Sequence, residues 1–310
     1  MLGRHFLRSV LQMNTASRFA MSAPSFTQTM KKSEYLLRAS EADENERLDI
    51  QHRLLLHMMR QNLLHPEIPK GFERVADIAT GNGDWLFELK NARKESKSEP
   101  ESITAQARYH GFDISPSLFP KLESTADIDF SVHDFYKPFP KEHLGKYDLV
   151  HARHLVLAVK KSHLQTAVDN ISCLLKPGGY IQWEEYDFAD QLAACPPCKM
   201  TSSWEVVFDW IVQRGYSLTF SSDVRDALAS SGLEIVERKQ FSTKGLPVSE
   251  DHRLTLLHAF YTGVPKLCWK AKGKSDEEVE QIMTGCFEEW ERGVLLDYYF
   301  SRVVARRPVE

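Results

Sequence analysis

No apolar run in this sequence approaches the roughly 18–20 residues that a bilayer-spanning helix needs. A basic excess is missing too. The formal net charge is −4, so the field that draws a protein to a polyanion is absent and nucleic acid is a poor partner. Cysteine is sparse: Cys173, Cys195, Cys198, Cys268 and Cys286 form an odd, irregularly spaced set that suits a reducing compartment, not a disulfide framework. Internal repeats and long low-complexity tracts are lacking as well. What is present is a chain of 310 residues, 42% apolar and 26% charged, able to bury a substantial core. These balances point to a globular protein of the cytoplasm.

No acidic residue precedes Glu34, whereas Arg4, Arg8, Arg18, Lys31 and Lys32 all fall before it. Leu2, Phe6, Val10 and Leu11 lie near helical spacing among those arginines. This is the composition of a mitochondrial presequence. The alternative is an extension outside the fold, with initiation at Met13, Met21 or Met30. Residues 1–32 are therefore read as a presequence-like or disordered extension, and mitochondria as the alternative location if residues 1–30 act as a presequence.

From Ser33 to Leu64, apolar residues recur at helical intervals, with the acidic stretch Glu41 to Glu46 read as a break between two helices. Residues 33–70 thus form a helical N-terminal cap, closed by Pro66 and Pro69. Residues 71–310 form the main domain. Its first strand is Arg74 to Ala79, followed by the tight turn Thr80-Gly-Asn-Gly83 and a helix starting at Trp85. Further strands are expected at Tyr109 to Ile114, Ile128 to Val132, Tyr147 to His151 and Tyr180 to Tyr186. A helix from Ser162 to Leu175 ends at the turn Lys176-Pro-Gly-Gly179. Such alternation is the mark of a mostly parallel sheet with helices on both faces. Late strands are expected at 233–241 and 298–306, and helical insertions at about 190–232 and 246–295.

The informative feature is the order of the strand ends. Asp77-x-x-x-Gly81-x-Gly83 lies between a strand and a helix, Asp113 ends the second strand, and Asp134 follows the third. In an open α/β sheet such loops converge on one crevice outside the carboxyl ends of the strands. Gly81 and Gly83 let the backbone turn sharply and approach a ligand. Asp113 suits two ribose hydroxyls, and Asp134 suits a purine amine with Phe112 or Phe135 on the ring face. A dinucleotide fingerprint would need a third glycine and a diphosphate on the helix N-terminus. Leu86 stands at that glycine position, and Asp84 places negative charge where the diphosphate would lie. The pattern favours a cationic, phosphate-free cofactor.

The blocks Val75-Ala-Asp-Ile-Ala-Thr-Gly-Asn-Gly83, Gly111-Phe-Asp-Ile-Ser115, Tyr147-Asp-Leu-Val-His-Ala-Arg153 and Leu174 to Glu185 resemble class I S-adenosylmethionine-dependent methyltransferases. More narrowly they are similar to the fungal secondary-metabolism group of the gliotoxin N-methyltransferase type, as is Glu46-Arg-Leu-Asp-x-Gln-His52. The resemblance implies a Rossmann-like, doubly wound seven-stranded sheet with an antiparallel final strand, a helical cap and a helical lid. It implies S-adenosylmethionine as cofactor and a small-molecule methyl acceptor, probed through nitrogen or oxygen. Asp77, Thr80, Gly81 and Gly83 would line the methionine end, Asp113 and Ile114 the ribose, Asp134 and Phe135 the adenine. His151 would border the cofactor, and Tyr35 would close over it. Ala79 departs from the pattern, since many members carry glycine there.

Methyl transfer from a sulfonium needs alignment and exclusion of water, and a base only if the acceptor must lose a proton. His151, Arg153 and His154, in the loop after the fourth strand, are the catalytic candidates. The two histidines would take a proton and Arg153 would orient the acceptor or brace the loop. A histidine at a strand end is equally a structural group. Trp183, Glu184 and Glu185 follow on the fifth strand, where one acid could reach the site. Trp204, Phe208 and Trp210 are core by their spacing, or else an acceptor-pocket wall. Cys195-Pro-Pro-Cys198 lacks a second ligand pair, so it is read as two ordinary thiols and no metal is expected. A cofactor-binding regulator that methylates no small molecule is the rival from another class, and a nicotinamide-dependent oxidoreductase is a second.

Overall fold

The computed structural model describes residues 41–96, 106–120, 128–261 and 264–309. Tyr35 and the 1–32 extension lie outside these residues, as does the beginning of the cap.

The described chain begins in helix α1 (Glu41–Met58), then enters the main domain at β1 (Arg74–Ile78) and α2 (Asp84–Glu95). There follow β2 (Arg108–Asp113), β3 (Ile128–Val132), β4 (Tyr147–Arg153), α3 (Leu164–Ser172) and β5 (Leu175–Tyr186). After them come α4 (Phe188–Ala194), α5 (Lys199–Gln213), α6 (Phe220–Ser230) and β6 (Glu234–Ser242). The last elements are α7 (Glu250–Tyr261), α8 (Val264–Ala271), α9 (Asp276–Glu291) and β7 (Tyr299–Arg306). The seven strands form one sheet of order β3-β2-β1-β4-β5-β7-β6. Strands β1 to β5 pair in parallel, and β7 runs antiparallel between β5 and β6. The seven-stranded doubly wound architecture expected from the sequence is therefore present, its antiparallel final strand included.

The order reverses between β1 and β4, so their carboxyl-end loops flank the topological switch point. Central strand β1 is buried from Val75 to Ile78, as a strand covered on both faces must be. Trp85, Leu86 and Leu89 of α2 pack onto Val75, Tyr109, Ile128 and Leu149. On α3, Ala167, Val168 and Ile171 present one buried stripe.

Two expectations require correction. The acidic stretch 41–46 is part of α1, not a break. Arg47 offsets Glu44 by a two-point ion pair one turn away, with its Nε 2.8 Å from Oε2, so the acids do not interrupt the helix. The segment Lys176 to Gly179 belongs to β5. There the register against β4 shifts between Tyr147 and Leu149, and Gly178 adopts φ 76°, which absorbs the irregularity. Cys198 is the N-cap of α5, its sulfur accepting from the Thr201 N–H at 3.4 Å. Trp210 and Phe208 are buried, and Phe208 stacks between Trp204 and Phe188, so this stripe is chiefly core.

Candidate active site

The turn after β1 is held from below by Asp77. Sheet register sets it beside Gly111 of β2 and His151 of β4. Its Oδ2 accepts from the Thr80 hydroxyl at 2.7 Å, and its Oδ1 lies 2.7 Å from His151 Nδ1. With both oxygens engaged and 3% exposure, Asp77 anchors the loop and does not reach across it. Above it, Ala79, Gly81 and Gly83 all have positive φ, at 56°, 57° and 83°. A side chain at Gly83 would meet the Phe130 ring at 2.9 Å, which explains glycine there beyond the torsion. Ala79 accepts the left-handed torsion despite its methyl, at a cost of about 1 kcal/mol. Ala79→Gly is accordingly expected to raise unfolding free energy by up to about 1 kcal/mol, read by urea denaturation. A loss of stability would mean that packing of the methyl outweighs the torsional strain.

Asp113 ties this turn to the next. One carboxylate oxygen accepts from the Gly81 N–H and the other from the Ser115 N–H, each at 3.0 Å. Burial raises its pKa, against those backbone donors. Each oxygen keeps a lone pair for a further donor. Directly beside it, Ile114 is 66% exposed, a large apolar side chain left on the surface. Asp134 accepts from the Tyr136 N–H at 3.0 Å, and the Phe135 carbonyl accepts from Asn170, which fixes the third loop. A carboxylate with spare lone pairs next to an apolar ledge fits a ribose and the base attached to it.

At the other end, the Asn82 amide donates to Asp84 Oδ2 at 2.9 Å and to Asp49 Oδ1 of α1 at 3.0 Å. Burial, reinforced by Asp49 and opposed by the Asn82 hydrogen bond, pushes the Asp84 carboxyl up to about 6. Two adjacent carboxyls in partial burial favour a cation and disfavour phosphate. Asp84 is thus joined to α1, a contact that its position in the sequence did not reveal.

The three catalytic candidates do not share a loop: β4 runs on through His151 and Arg153, because both positions pair with β5, and only His154 lies beyond the strand. His151 is fully buried, stacked on Trp85 at 3.7 Å between ring centroids. Its second nitrogen, Nε2, lies 3.3 Å from Glu184 Oε2. With the side chain fully buried and both nitrogens facing carboxylates, His151 is engaged within the protein on both sides of its ring. It is a brace between β1, β4 and β5. Arg153 donates to His52 Nδ1 of α1 at 2.8 Å, so it braces the loop against the cap. Burial, then Arg153, drives His52 down to about 3. His154 is different. It has φ 59°, its N–H donates to the Glu184 carbonyl, and its Nε2 is enclosed without a protein partner.

Arg302 and Gln182, which the sequence left unassigned, hold Glu184 of β5. Glu184 is fully buried, with Arg302 of β7 donating to its Oε1 at 2.7 Å and Gln182 at 2.9 Å. Burial opposes its ionisation, but Arg302 and His151 outweigh that and hold the carboxyl well below the usual range. Glu185 instead takes N–H groups from Leu155, Val156 and the Trp183 indole, and burial pushes it up to about 8. Neither acid points at an acceptor, since both cross-brace the strand ends.

These features define a class I methyltransferase site. Residues 76–181 match the family described as Methyltransferase domain (Methyltransf_12). The chain is 32% identical over 274 residues to the methyltransferase grgD of a Penicillium species, covering 86% of this chain and 94% of that one. It is 29% identical over 147 residues to the N-methyltransferase gliN of Aspergillus fumigatus, which spans 47% of this chain and 48% of that one. The secondary metabolism regulator laeA of Coprinopsis cinerea is 30% identical over 173 residues, 53% of this chain and 38% of that one. This chain belongs to the S-adenosylmethionine-dependent methyltransferases related to fungal secondary-metabolism enzymes.

Proposed function

We propose that this protein transfers the methyl group of S-adenosylmethionine to a nitrogen or oxygen of a small-molecule acceptor, with His154 taking the acceptor's proton. The observation that carries the reading is the contrast between the two histidines. His151 is consumed by Asp77 and Glu184, whereas His154 Nε2 has no protein partner. Similarity to the methyltransferase grgD along nearly its whole length, and to an N-methyltransferase along half, supports methyl transfer and admits nitrogen as the acceptor atom.

In this reading Asp113 and Ile114 hold the ribose, and Asp134 and Phe135 the adenine. Thr80, Gly81 and Gly83, with Asp77 beneath them, shape the methionine end beside Asp84. His151 supports the floor under the cofactor through Asp77. The bound cofactor supplies a sulfonium methyl with a good leaving group. His154 Nε2 would take the acceptor's proton as the acceptor's lone pair bonds the methyl carbon and sulfur keeps the electron pair of the bond it gives up.

Incubation with methyl-labelled S-adenosylmethionine and a panel of small-molecule acceptors tests this. Label is expected in a small molecule, and His154→Gln is expected to lower kcat about a hundred- to ten-thousand-fold while cofactor affinity stays within a few-fold. Burial, then Arg153 and Arg47, holds His154 well below 6.5. It therefore stays an unprotonated base through mild acid, and kcat is expected to remain flat from about pH 8 to 6 where an unperturbed histidine would begin to titrate near 6.5. The likeness to laeA favours one other reading, a cofactor-binding regulator. Tight cofactor binding with no label in any small molecule would replace the proposal with that reading.

A further inference from the structure

The acids at the strand ends are fully paired: Asp187 accepts from Arg238 and Gln240 as well as from the hydroxyls of Ser221 and Ser301. Unpartnered buried polar atoms occur at scattered places among the described residues, Trp85, Ser172 and Gln191 included, but three fall together. The Tyr186 hydroxyl at the end of β5, the Tyr298 hydroxyl just before β7 and His154 Nε2 after β4 are all enclosed without a partner. The side chains form one run, with ring centroids 5.1 Å apart for His154 and Tyr186 and 5.6 Å for Tyr186 and Tyr298. His52 Nε2 of α1 and Thr255 Oγ1 of α7 are unpartnered as well. His52 is brought to the end of β4 by its bond with Arg153. Thr255 lies one turn from His252, whose ring is 5.6 Å from Tyr298. Arg53 and Asp251, 2.9 Å apart, join the two helices.

Each enclosed hydroxyl or ring nitrogen without a partner is destabilising, and native proteins carry few. Three in one run of rings, against full pairing of the nearby acids, call for a ligand that supplies the missing partners. Resting on the methyl-transfer reading above, we propose that this run of rings receives the acceptor. Its occupant is a neutral, planar molecule with a carbonyl oxygen for the tyrosine hydroxyls, and an N–H or O–H directed at His154. A flat, ring-bearing occupant suits aromatic surroundings: Tyr186 and Phe300 meet edge to face at 5.4 Å, and Phe188 lies parallel to Tyr186 at 6.0 Å. Neutrality follows from the charges. Glu184, Glu185 and Asp187 are committed within the protein, Arg153 to His52, and Arg47 to Glu44. No ionised group among these is left to balance an acceptor's charge. Tyr186 and Tyr298 are then positioning residues that select the acceptor.

The test uses the full chain saturated with S-adenosylhomocysteine, and 2-quinolinone as the neutral planar probe, with benzoate and benzylammonium as charged comparators. Calorimetry and ligand-observed magnetic resonance are expected to show 2-quinolinone binding alone, weakened about five-fold or more by Tyr186→Phe or Tyr298→Phe. Both variants should bind S-adenosylhomocysteine as the wild type does. In the ligand-free protein their melting temperatures should be unchanged or raised, because each removes an unpaired hydroxyl. A lowered melting temperature in both would mean that the hydroxyls have partners such as a bridging water, and overturns the proposal. So does failure of 2-quinolinone to bind the loaded protein, or binding that both variants leave intact. Failure of S-adenosylhomocysteine itself to bind would instead overturn the methyl-transfer reading on which this one rests.

Discussion

Arg302→Met is expected to cost about 3–5 kcal/mol of stability, the largest loss from any single side chain at the strand ends. Arg302 is 2% exposed and sits opposite Glu184 in the β5–β7 register. Its Nε donates to Glu184 at 2.7 Å, and its terminal nitrogen to the carbonyls of Asn62 and Leu63, at 2.8 and 3.1 Å. Removing the guanidinium strands a fully buried carboxylate and two carbonyls, while methionine fills most of the volume. The melting temperature should fall by roughly 5–15 °C. The sign of the pH dependence separates lost charge pairing from lost packing. In the wild type the Glu184 pKa is depressed, so its stabilisation is complete above the unfolded value of 4.5 and is lost only as pH falls through the folded one. In the variant, burial acts unopposed by Arg302 and the carboxyl must take up a proton to fold. The gap between wild type and variant should therefore narrow from pH 8 to pH 5. A constant gap would assign the loss to packing. The pair Arg302→Met and Glu184→Leu should recover part of the deficit, since it leaves no buried charge.

How far the sequence leads depends on whether a feature is local. Strand β3 lies at Ile128–Val132 as its apolar pattern indicates, and the loop carboxylates Asp77, Asp113 and Asp134 fall at consecutive strand ends, because strand and turn chemistry is written within a few residues. The misreadings at 41–46 and 176–179 were local too, but each was decided by a partner: Arg47 for the acids of α1, and the β4 edge for the glycines of β5. The roles of the histidines were not legible. His151 lies in β4 and His154 just beyond its end, and only the register that sets His151 against Asp77 shows which is spent as a brace. Arg302 lies 118 positions from Glu184, and nothing in either segment announces the pair. Helix α8 (Val264–Ala271) is short, and the capping box of Ser275 and Glu278 separates it from α9. Asp49 and His52 belong to an ordinary-looking helix face, and become part of the site only because α1 packs over the turn after β1.

Asp113→Ala is expected to weaken S-adenosylmethionine and S-adenosylhomocysteine binding about five- to a hundred-fold, equivalent to roughly 1–3 kcal/mol. Two separate effects contribute. In the first, the ribose hydroxyls lose their acceptor, whose pKa is raised by burial in the folded protein and whose oxygens each retain a lone pair beyond the bonds to Gly81 and Ser115. In the second, Gly81 and Ser115 lose the carboxylate that joins their loops, so the turn after β1 is no longer held in its left-handed geometry. Asp113→Asn separates them. The amide oxygen can still accept one backbone N–H, so the loops remain partly tied, while its NH2 faces the other donor and cannot accept from a ribose hydroxyl. If ribose recognition dominates, Asn and Ala should weaken cofactor binding alike, while Asn melts closer to the wild type. If loop bracing dominates, Asn should recover affinity and stability together. Nicotinamide dinucleotides should fail to bind the wild type, because Asp84 and Asp49 crowd negative charge where their phosphates would sit. Calorimetry showing unchanged S-adenosylhomocysteine affinity in Asp113→Ala would remove the end of β2 from the cofactor site.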